Sequence, residues 1–220
     1  MRPDFPCEMR AEAIRIGCET FTLWTAKHPE KLLEVLAAKA PDHPDVLDER
    51  MPYWAELWPS ARVLAEAVLT QPFLPGALWL ELGCGPGLPG LAAQRRGCSG
   101  IWSDYLPEAL SLAAWNAHGS GIASPATRLI DWRSPPEDLR VPWILAADVA
   151  YEERNFLPLL ESFDCLLAPG GEVWLGEPGR PIAQTFFDML STEGWARESL
   201  LQIGEVTVWR LTRSQGMRGG

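Results

Sequence analysis

From Leu78 onward the chain alternates short apolar runs with amphipathic stretches, and this alternation leaves it very few folds. Leu78 to Leu82 precedes a helical pattern over Leu88 to Arg96, and Gly100 to Ser103 precedes another over Pro107 to His118. Further apolar runs lie at Ala126 to Ile130, Trp143 to Ala147 and Glu172 to Gly176. A helix is expected over Glu153 to Leu167, and a turn at Pro169-Gly170-Gly171. Strands alternating with helices form βαβ units, and continuous apolar runs mark strands covered on both faces. A doubly wound α/β fold with a mostly parallel sheet is therefore expected. After a helix near Ile182 to Glu193, the runs Ala196 to Ile203 and Glu205 to Thr212 meet at Gly204 and read as a hairpin. That places one antiparallel strand in a seven-stranded sheet.

The 220 residues, 47% of them hydrophobic, suffice for one domain with a sizeable core. Residues 1–50 differ in texture, with helical periodicity over Glu30 to Lys39 followed by the loop-like Ala40-Pro41-Asp42-His43-Pro44. They read as an N-terminal extension packed on a domain of residues 51–213, with 214–220 a flexible tail. A net charge of -10 disfavours nucleic acid and anionic membranes as partners. No apolar run approaches the roughly 18 residues of a membrane span, and Met1 to Arg10 does not resemble a signal peptide. A cytoplasmic location is expected. Cys7, Cys18, Cys84, Cys98 and Cys165 are scattered and never form a Cys-x-x-Cys pair, and His28, His43 and His118 lack metal-ligand spacing. Reduced thiols and no metal are the expectation.

Ligands in such sheets bind beyond the carboxyl ends of the strands. There the chain reads Glu81-Leu82-Gly83-Cys84-Gly85-Pro86-Gly87-Leu88-Pro89-Gly90, whose alternate glycines let the backbone turn sharply and approach a ligand. Two fingerprints overlap. Gly83-x-Gly85-x-Gly87 behind an acid suits S-adenosylmethionine (SAM), while Gly85-x-Gly87-x-x-Gly90 matches a dinucleotide site. Asp104, at the end of the next strand, can hold a ribose hydroxyl in either case. Glu81 favours SAM, because a carboxylate ahead of the glycines suits a cationic methionine end and repels a pyrophosphate. An NAD(P)-dependent oxidoreductase remains the alternative.

Asp131-Trp132, past the third of these strands, offers an acceptor beside a flat apolar surface and suits an adenine; a loop acid beside a core tryptophan is the plain alternative. Tyr53-Trp54-Ala55-Glu56-Leu57-Trp58-Pro59 leads into a helix that Ser60 is expected to cap, with Trp54 and Trp58 lining a pocket or pinning the extension. The fourth strand ends in Ala147-Asp148-Val149-Ala150-Tyr151, with a carboxylate to orient an incoming ammonium and a phenol to hydrogen-bond the amine. A free lysine, with a pKa of about 10.4, must shed its proton to act as a nucleophile, and apolar walls favour that. Gly176-Glu177-Pro178-Gly179-Arg180-Pro181 forms a further loop at the same rim. Glu177 is expected to hold a cationic substrate, and Arg180 to bind Glu177, a backbone carbonyl or a partner.

Over Tyr53 to Thr212 the chain resembles the seven-stranded SAM-dependent methyltransferases, the class I Rossmann-like enzymes. Within them it resembles the lysine methyltransferase group marked by Asp-x-x-Tyr, here Asp148 to Tyr151. Pro52 to Pro59, Gly176 to Pro181 and Thr207-Val208-Trp209-Arg210 are similar to the enzymes that methylate the β-subunit of electron transfer flavoprotein. Glu81 to Gly85 and Asp131-Trp132 look closer to the wider group. The resemblance implies a protein-lysine N-methyltransferase, with a small-molecule N-methyltransferase as the alternative on the same fold. It implies that Trp58, Glu81, Gly83, Cys84, Gly85, Asp104, Trp132 and Ala147 contact SAM, which leaves as S-adenosylhomocysteine (SAH). Gly87, Tyr105 and Asp131 complete the expected cofactor set. Asp148 and Tyr151, with Glu177, are expected to face the acceptor, a protein lysine or a small amine. The family loop Gly-Asp-Pro-Gly-Arg stands here as Gly-Glu-Pro-Gly-Arg, one methylene longer at Glu177.

Overall fold

Successive residues of a strand point to opposite faces of its sheet, and the apolar runs of this chain fill both. The computed structural model describes residues 3–72 and 76–213, so the tail expected over 214–220 lies outside the described residues. The chain runs through β1 (Met9–Ile16), β2 (Glu19–Ala26), α1 (Glu30–Ala37), α2 (Pro44–Leu47), a 3-10 turn at Tyr53–Ala55 and α3 (Pro59–Thr70). It continues through β3 (Leu78–Leu82), α4 (Leu88–Arg95), β4 (Ser99–Asp104), α5 (Pro107–Gly119), β5 (Ala126–Leu129) and β6 (Val141–Ala147). A 3-10 turn at Glu153–Asn155, α6 (Phe156–Leu166), β7 (Leu167–Glu177), α7 (Pro181–Thr192), β8 (Trp195–Ile203) and β9 (Val206–Arg213) complete it.

The main sheet has seven strands in the order β5-β4-β3-β6-β7-β9-β8. Neighbours run parallel from β5 to β7, and β9 runs antiparallel to both β7 and β8. This is the expected doubly wound sheet with one antiparallel strand, and the tail hairpin turns at Gly204, whose φ is 60°. The direction of winding reverses between β3 and β6, so their carboxyl ends open the crevice where a ligand binds.

One face of the sheet carries Trp79, Trp102, Trp143, Leu145 and Trp174, packed against α3, α4 and α5. The other carries Leu80, Leu82, Ile144, Ala146, Val173 and Leu175 under α6 and α7. Much of the chain's tryptophan is thus core. Trp79 meets Trp102 edge-on at 4.8 Å, and it fits only because its neighbour in register is Gly100, where a Cβ would lie 2.0 Å from the indole.

Two expectations need correction here. Pro169-Gly170-Gly171 does not precede the fifth strand of the main sheet but lies inside β7. That strand pairs Leu167 with Val141 and then Glu172 with Trp143, so the intervening residues bulge out around Gly170 at φ 76°. Ser60 does not cap α3. Trp58 holds the cap position, Pro59 opens the helix, and the Ser60 hydroxyl turns to Asp148.

Residues 9–26, expected only as part of an N-terminal extension, form an antiparallel hairpin. Ile16 pairs with Glu19 across a two-residue turn in which Gly17 has φ 55°. Its inner side chains Ile14, Ile16, Phe21 and Leu23 join the tryptophan face of the core. Asn116 of α5 fastens it: its carboxamide accepts from Trp24 N at 2.8 Å and donates to Trp24 O at 3.1 Å and Pro86 O at 2.9 Å. Among the described residues no helix is long and apolar enough to cross a membrane. None of their His, Cys, Asp and Glu side chains form a group arranged to hold a metal ion.

Candidate active site

At the carboxyl ends of β3, β4 and β6 lies a cleft of about 680 Å³, counted to its open mouth. Its floor is the glycine turn. Gly83, Gly85 and Gly87 have φ of 70°, 47° and 82°, a left-handed zigzag that other residues adopt only with strain. A Cβ at Gly83 would press on Val149 at 3.2 Å and Trp132 at 3.4 Å, and one at Gly85 would meet the Trp54 carbonyl at 3.2 Å. The missing side chains therefore shape the cleft from below.

Two carboxylates lie under this turn. Glu81 is 2% exposed and accepts from Gly90 N at 2.8 Å. Burial raises its proton affinity well above the ordinary range, the Gly90 bond opposes this, and the nearby charge of Asp104 adds to it. Asp104 accepts from Gly85 N at 3.2 Å and Leu106 N at 3.1 Å. Burial outweighs those bonds and pushes its pKa up to about 6. At neutral pH Asp104 is thus mostly ionised and able to accept from hydroxyl donors.

Ala147 brings β6 to the rim, and Asp148 follows it with φ 58°, an uncommon conformation for a residue with a side chain. The Asp148 carboxylate is nearly buried and ion-paired with Arg180, whose Nε and Nη2 donate to Oδ1 at 3.0 and 2.8 Å. Ser60 Oγ lies 3.4 Å from Oδ2. The Arg180 side chain thus binds Asp148, where Glu177 or a backbone carbonyl was expected, and its backbone N–H donates to Glu177 at 2.7 Å. Tyr151 meets Tyr53 edge-on at 5.7 Å, and Tyr53 meets Trp58 in the same way at 5.8 Å. Burial raises the Tyr151 phenol above its usual range and the Tyr105 phenol to about 12, so both stay protonated.

Of the residues singled out from sequence, Trp58, Glu81, Gly83, Cys84, Gly85 and Asp104 line this one cleft, together with Tyr105, Trp132, Ala147, Asp148 and Tyr151. Gly87, Asp131 and Glu177 do not. A Cβ at Gly87 would point inward, 2.8 Å from Trp102 Nε1, so this glycine serves packing. Asp131 faces a neighbouring polar cavity and is held there by Arg133, which bonds both its oxygens and also grips Asp48. Glu177 is buried with its oxygens bonded to the backbone amides of Gly179 and Arg180, at 2.8 and 2.7 Å. These bonds fold its own loop, in place of the expected reach toward substrate. Trp54 lines the cleft beside Trp58, and the structure adds Met51, Tyr53 and Glu56 to the lining. Their signal in the sequence was a run rich in aromatic residues ahead of a proline-initiated helix, of which only Trp58 was assigned to the cofactor.

A model of the lysine methyltransferase family matches residues 54–193. The chain belongs to that family. An electron transfer flavoprotein β-subunit lysine methyltransferase from Danio rerio is 32% identical over 132 residues, covering 59% of this chain and 51% of that protein. A histone-arginine methyltransferase from Homo sapiens is 30% identical over 130 residues, covering 54% of this chain and 66% of its own length. The chain spans about half to two thirds of the length of these relatives. A TehB-like SAM-dependent methyltransferase from Corynebacterium glutamicum shares the fold at TM-score 0.56 and 18% identity, over 85% of this chain and 98% of that one.

The family's cofactor is SAM, and the oxidoreductase alternative falls away. Its fingerprint has a plain physical explanation: Gly90 is glycine because a Cβ there would lie 2.3 Å from Trp102 and 2.7 Å from Glu81, and Trp102 Nε1 donates to Gly87 O at 3.0 Å. Two of the three glycines in that register answer to an indole beneath them.

Proposed function

We propose that this protein transfers a methyl group from SAM to the side-chain nitrogen of a lysine in a protein substrate. The observation that carries this reading is that one cleft joins the glycine turn and Asp104 to Asp148 and Tyr151. Groups suited to a sulfonium nucleoside and groups suited to an amine thus share one space.

In this reading the backbone of Gly83 to Gly85 and the Glu81 carboxyl hold the methionine end. Asp104 takes the ribose hydroxyls, and Tyr105 and Trp132, tilted at 31° with centroids 6.3 Å apart, flank the base. Bound SAM supplies an electrophilic methyl on sulfur, which forms a bond to nitrogen as its bond to sulfur breaks, leaving SAH. The nitrogen must arrive neutral. The rings of Tyr53, Trp58 and Tyr151 offer an apolar wall that favours the uncharged amine, while Asp148, braced by Arg180, fixes its approach through Oδ2. Cytoplasmic location and a cationic protein partner belong to the same reading, which the charge of -10 favours.

The test is incubation with methyl-tritiated SAM and a lysate, with purified electron transfer flavoprotein β-subunit in a parallel tube. Protein-bound label that hydrolyses to methylated lysine is expected. Label confined to small molecules, or recovered as methylated arginine, would overturn the assignment.

A further inference from the structure

The carboxylates around the cleft differ in what already holds them. Glu81 is bonded to Gly90, Asp104 to Gly85 and Leu106, and Asp148 to Arg180. Glu56 also lines the cleft, at the end of the 3-10 turn that carries Tyr53, and no hydrogen bond or ion pair engages its side chain among the described residues. It is partly buried, and burial, followed by the charge of Glu30, raises its proton affinity. A carboxylate that has lost part of its water without gaining a partner is stabilised by a cation that reaches it. Glu56 ends the turn that carries Tyr53, and the Tyr53 ring meets both Trp58 and Tyr151 edge-on, so this carboxylate and the three rings line the same cleft.

We propose that Glu56 is the residue that selects a cationic acceptor, receiving the alkylammonium of the substrate side chain at the mouth of the cleft. This rests on the lysine methyltransferase reading and adds a specificity-determining residue to it. Because the Asp148 carboxylate is already paired with Arg180, Glu56 is the cleft carboxylate left to receive an entering ammonium. From Glu56 the side chain passes the three rings, gives its proton to water and comes under Asp148. A neutral side chain of equal length gains nothing at Glu56, so the cleft discriminates before chemistry begins.

The test uses the full chain saturated with SAH and follows binding of Nα-acetyl-lysine amide and its uncharged counterpart Nα-acetyl-norleucine amide by NMR titration. The wild-type protein is expected to prefer the lysine probe by about three- to tenfold, as a partly exposed charge-assisted hydrogen bond allows. Glu56→Gln should erase that preference, Glu56→Asp should keep part of it, and both should bind SAH within twofold of wild type. Three outcomes would overturn the proposal: equal binding of the two probes to wild type, a preference that survives in Glu56→Gln, or a parallel fall in SAH affinity, which would place Glu56 at the cofactor's own amine. A wild-type protein that fails to bind SAH would instead refute the underlying methyltransferase reading.

Discussion

Arg180 donates two hydrogen bonds to a single oxygen of Asp148, and Asp148 holds that pose on a left-handed backbone. Asparagine tolerates this conformation and alanine does not, at a cost of about 1–2 kcal/mol. Asp148→Asn should therefore be about 1 kcal/mol more stable than Asp148→Ala in urea unfolding. Both should lose methyl transfer while binding SAH within a few-fold of wild type. Equal stability of the two variants would mean that the backbone there stores no strain.

The same pair is unequal in exposure, 6% for the Asp148 side chain against 38% for Arg180. Removing the cation strands a carboxylate that water reaches poorly. Arg180→Ala is expected to cost about 1–3 kcal/mol of stability, measured by thermal or chemical unfolding. Glu177→Ala should weaken the same pair indirectly, by freeing the amides of Gly179 and Arg180.

Asp104 gives the cofactor step a pH dependence with a definite sign. Its folded pKa of about 6 lies above its ordinary 3.8, so the native state holds this proton more tightly than the unfolded chain does. The unliganded protein should lose stability as pH rises from about 4 to 6, with the loss complete above 6. Cofactor binding runs the other way, because a ribose hydroxyl donates to the ionised carboxylate. SAH affinity should rise about tenfold from pH 5 to pH 7 in calorimetric titrations, and Asp104→Asn should flatten that rise.

Gly90→Ala would drive a methyl into Trp102 and Glu81, neither of which can retreat from a close-packed core. A loss of about 1–3 kcal/mol is expected. Gly97→Ala has open space at its Cβ but a φ of 75°, so only backbone strain of about 1 kcal/mol applies. Comparing the two melting temperatures separates crowding from backbone conformation.

Arg133 bridges Asp131, beyond the end of β5, to Asp48 in the segment ahead of the cleft, and Arg154 does the same for Glu49. These pairs are exposed enough that Arg133→Ala should change global stability by no more than about 1 kcal/mol. Hydrogen exchange over residues 44–51 should nonetheless quicken, and high salt should reproduce the effect in wild type.

The central strands of the main sheet were legible because burial on both faces writes itself as apolar runs, and the tail hairpin, whose β8 is largely exposed, because Gly204 separates two strand-like stretches. The first hairpin was not. Its strands Met9–Ile16 and Glu19–Ala26 alternate charged or threonine residues with apolar ones around Gly17-Cys18, a weaker signal than a continuous run. The cleft residues at strand ends could be found because the fold fixes where ligands bind. Where side chains turn after the strand could not: whether Arg180 reaches Asp148, or Glu177 its own loop, depends on how two loops distant in sequence meet.

Asn116 binds the second strand of the first hairpin and the carbonyl of Pro86 with one carboxamide. The stretch that similarity picks out starts at residue 54 and leaves that hairpin outside. A chain trimmed to that limit would lose the anchor that steadies the segment between Gly85 and Gly87, along with Ile14, Ile16, Phe21 and Leu23 from the core. Homology and cooperative folding therefore draw different borders here, and an expression fragment designed on the first should yield a protein unable to grip its nucleoside.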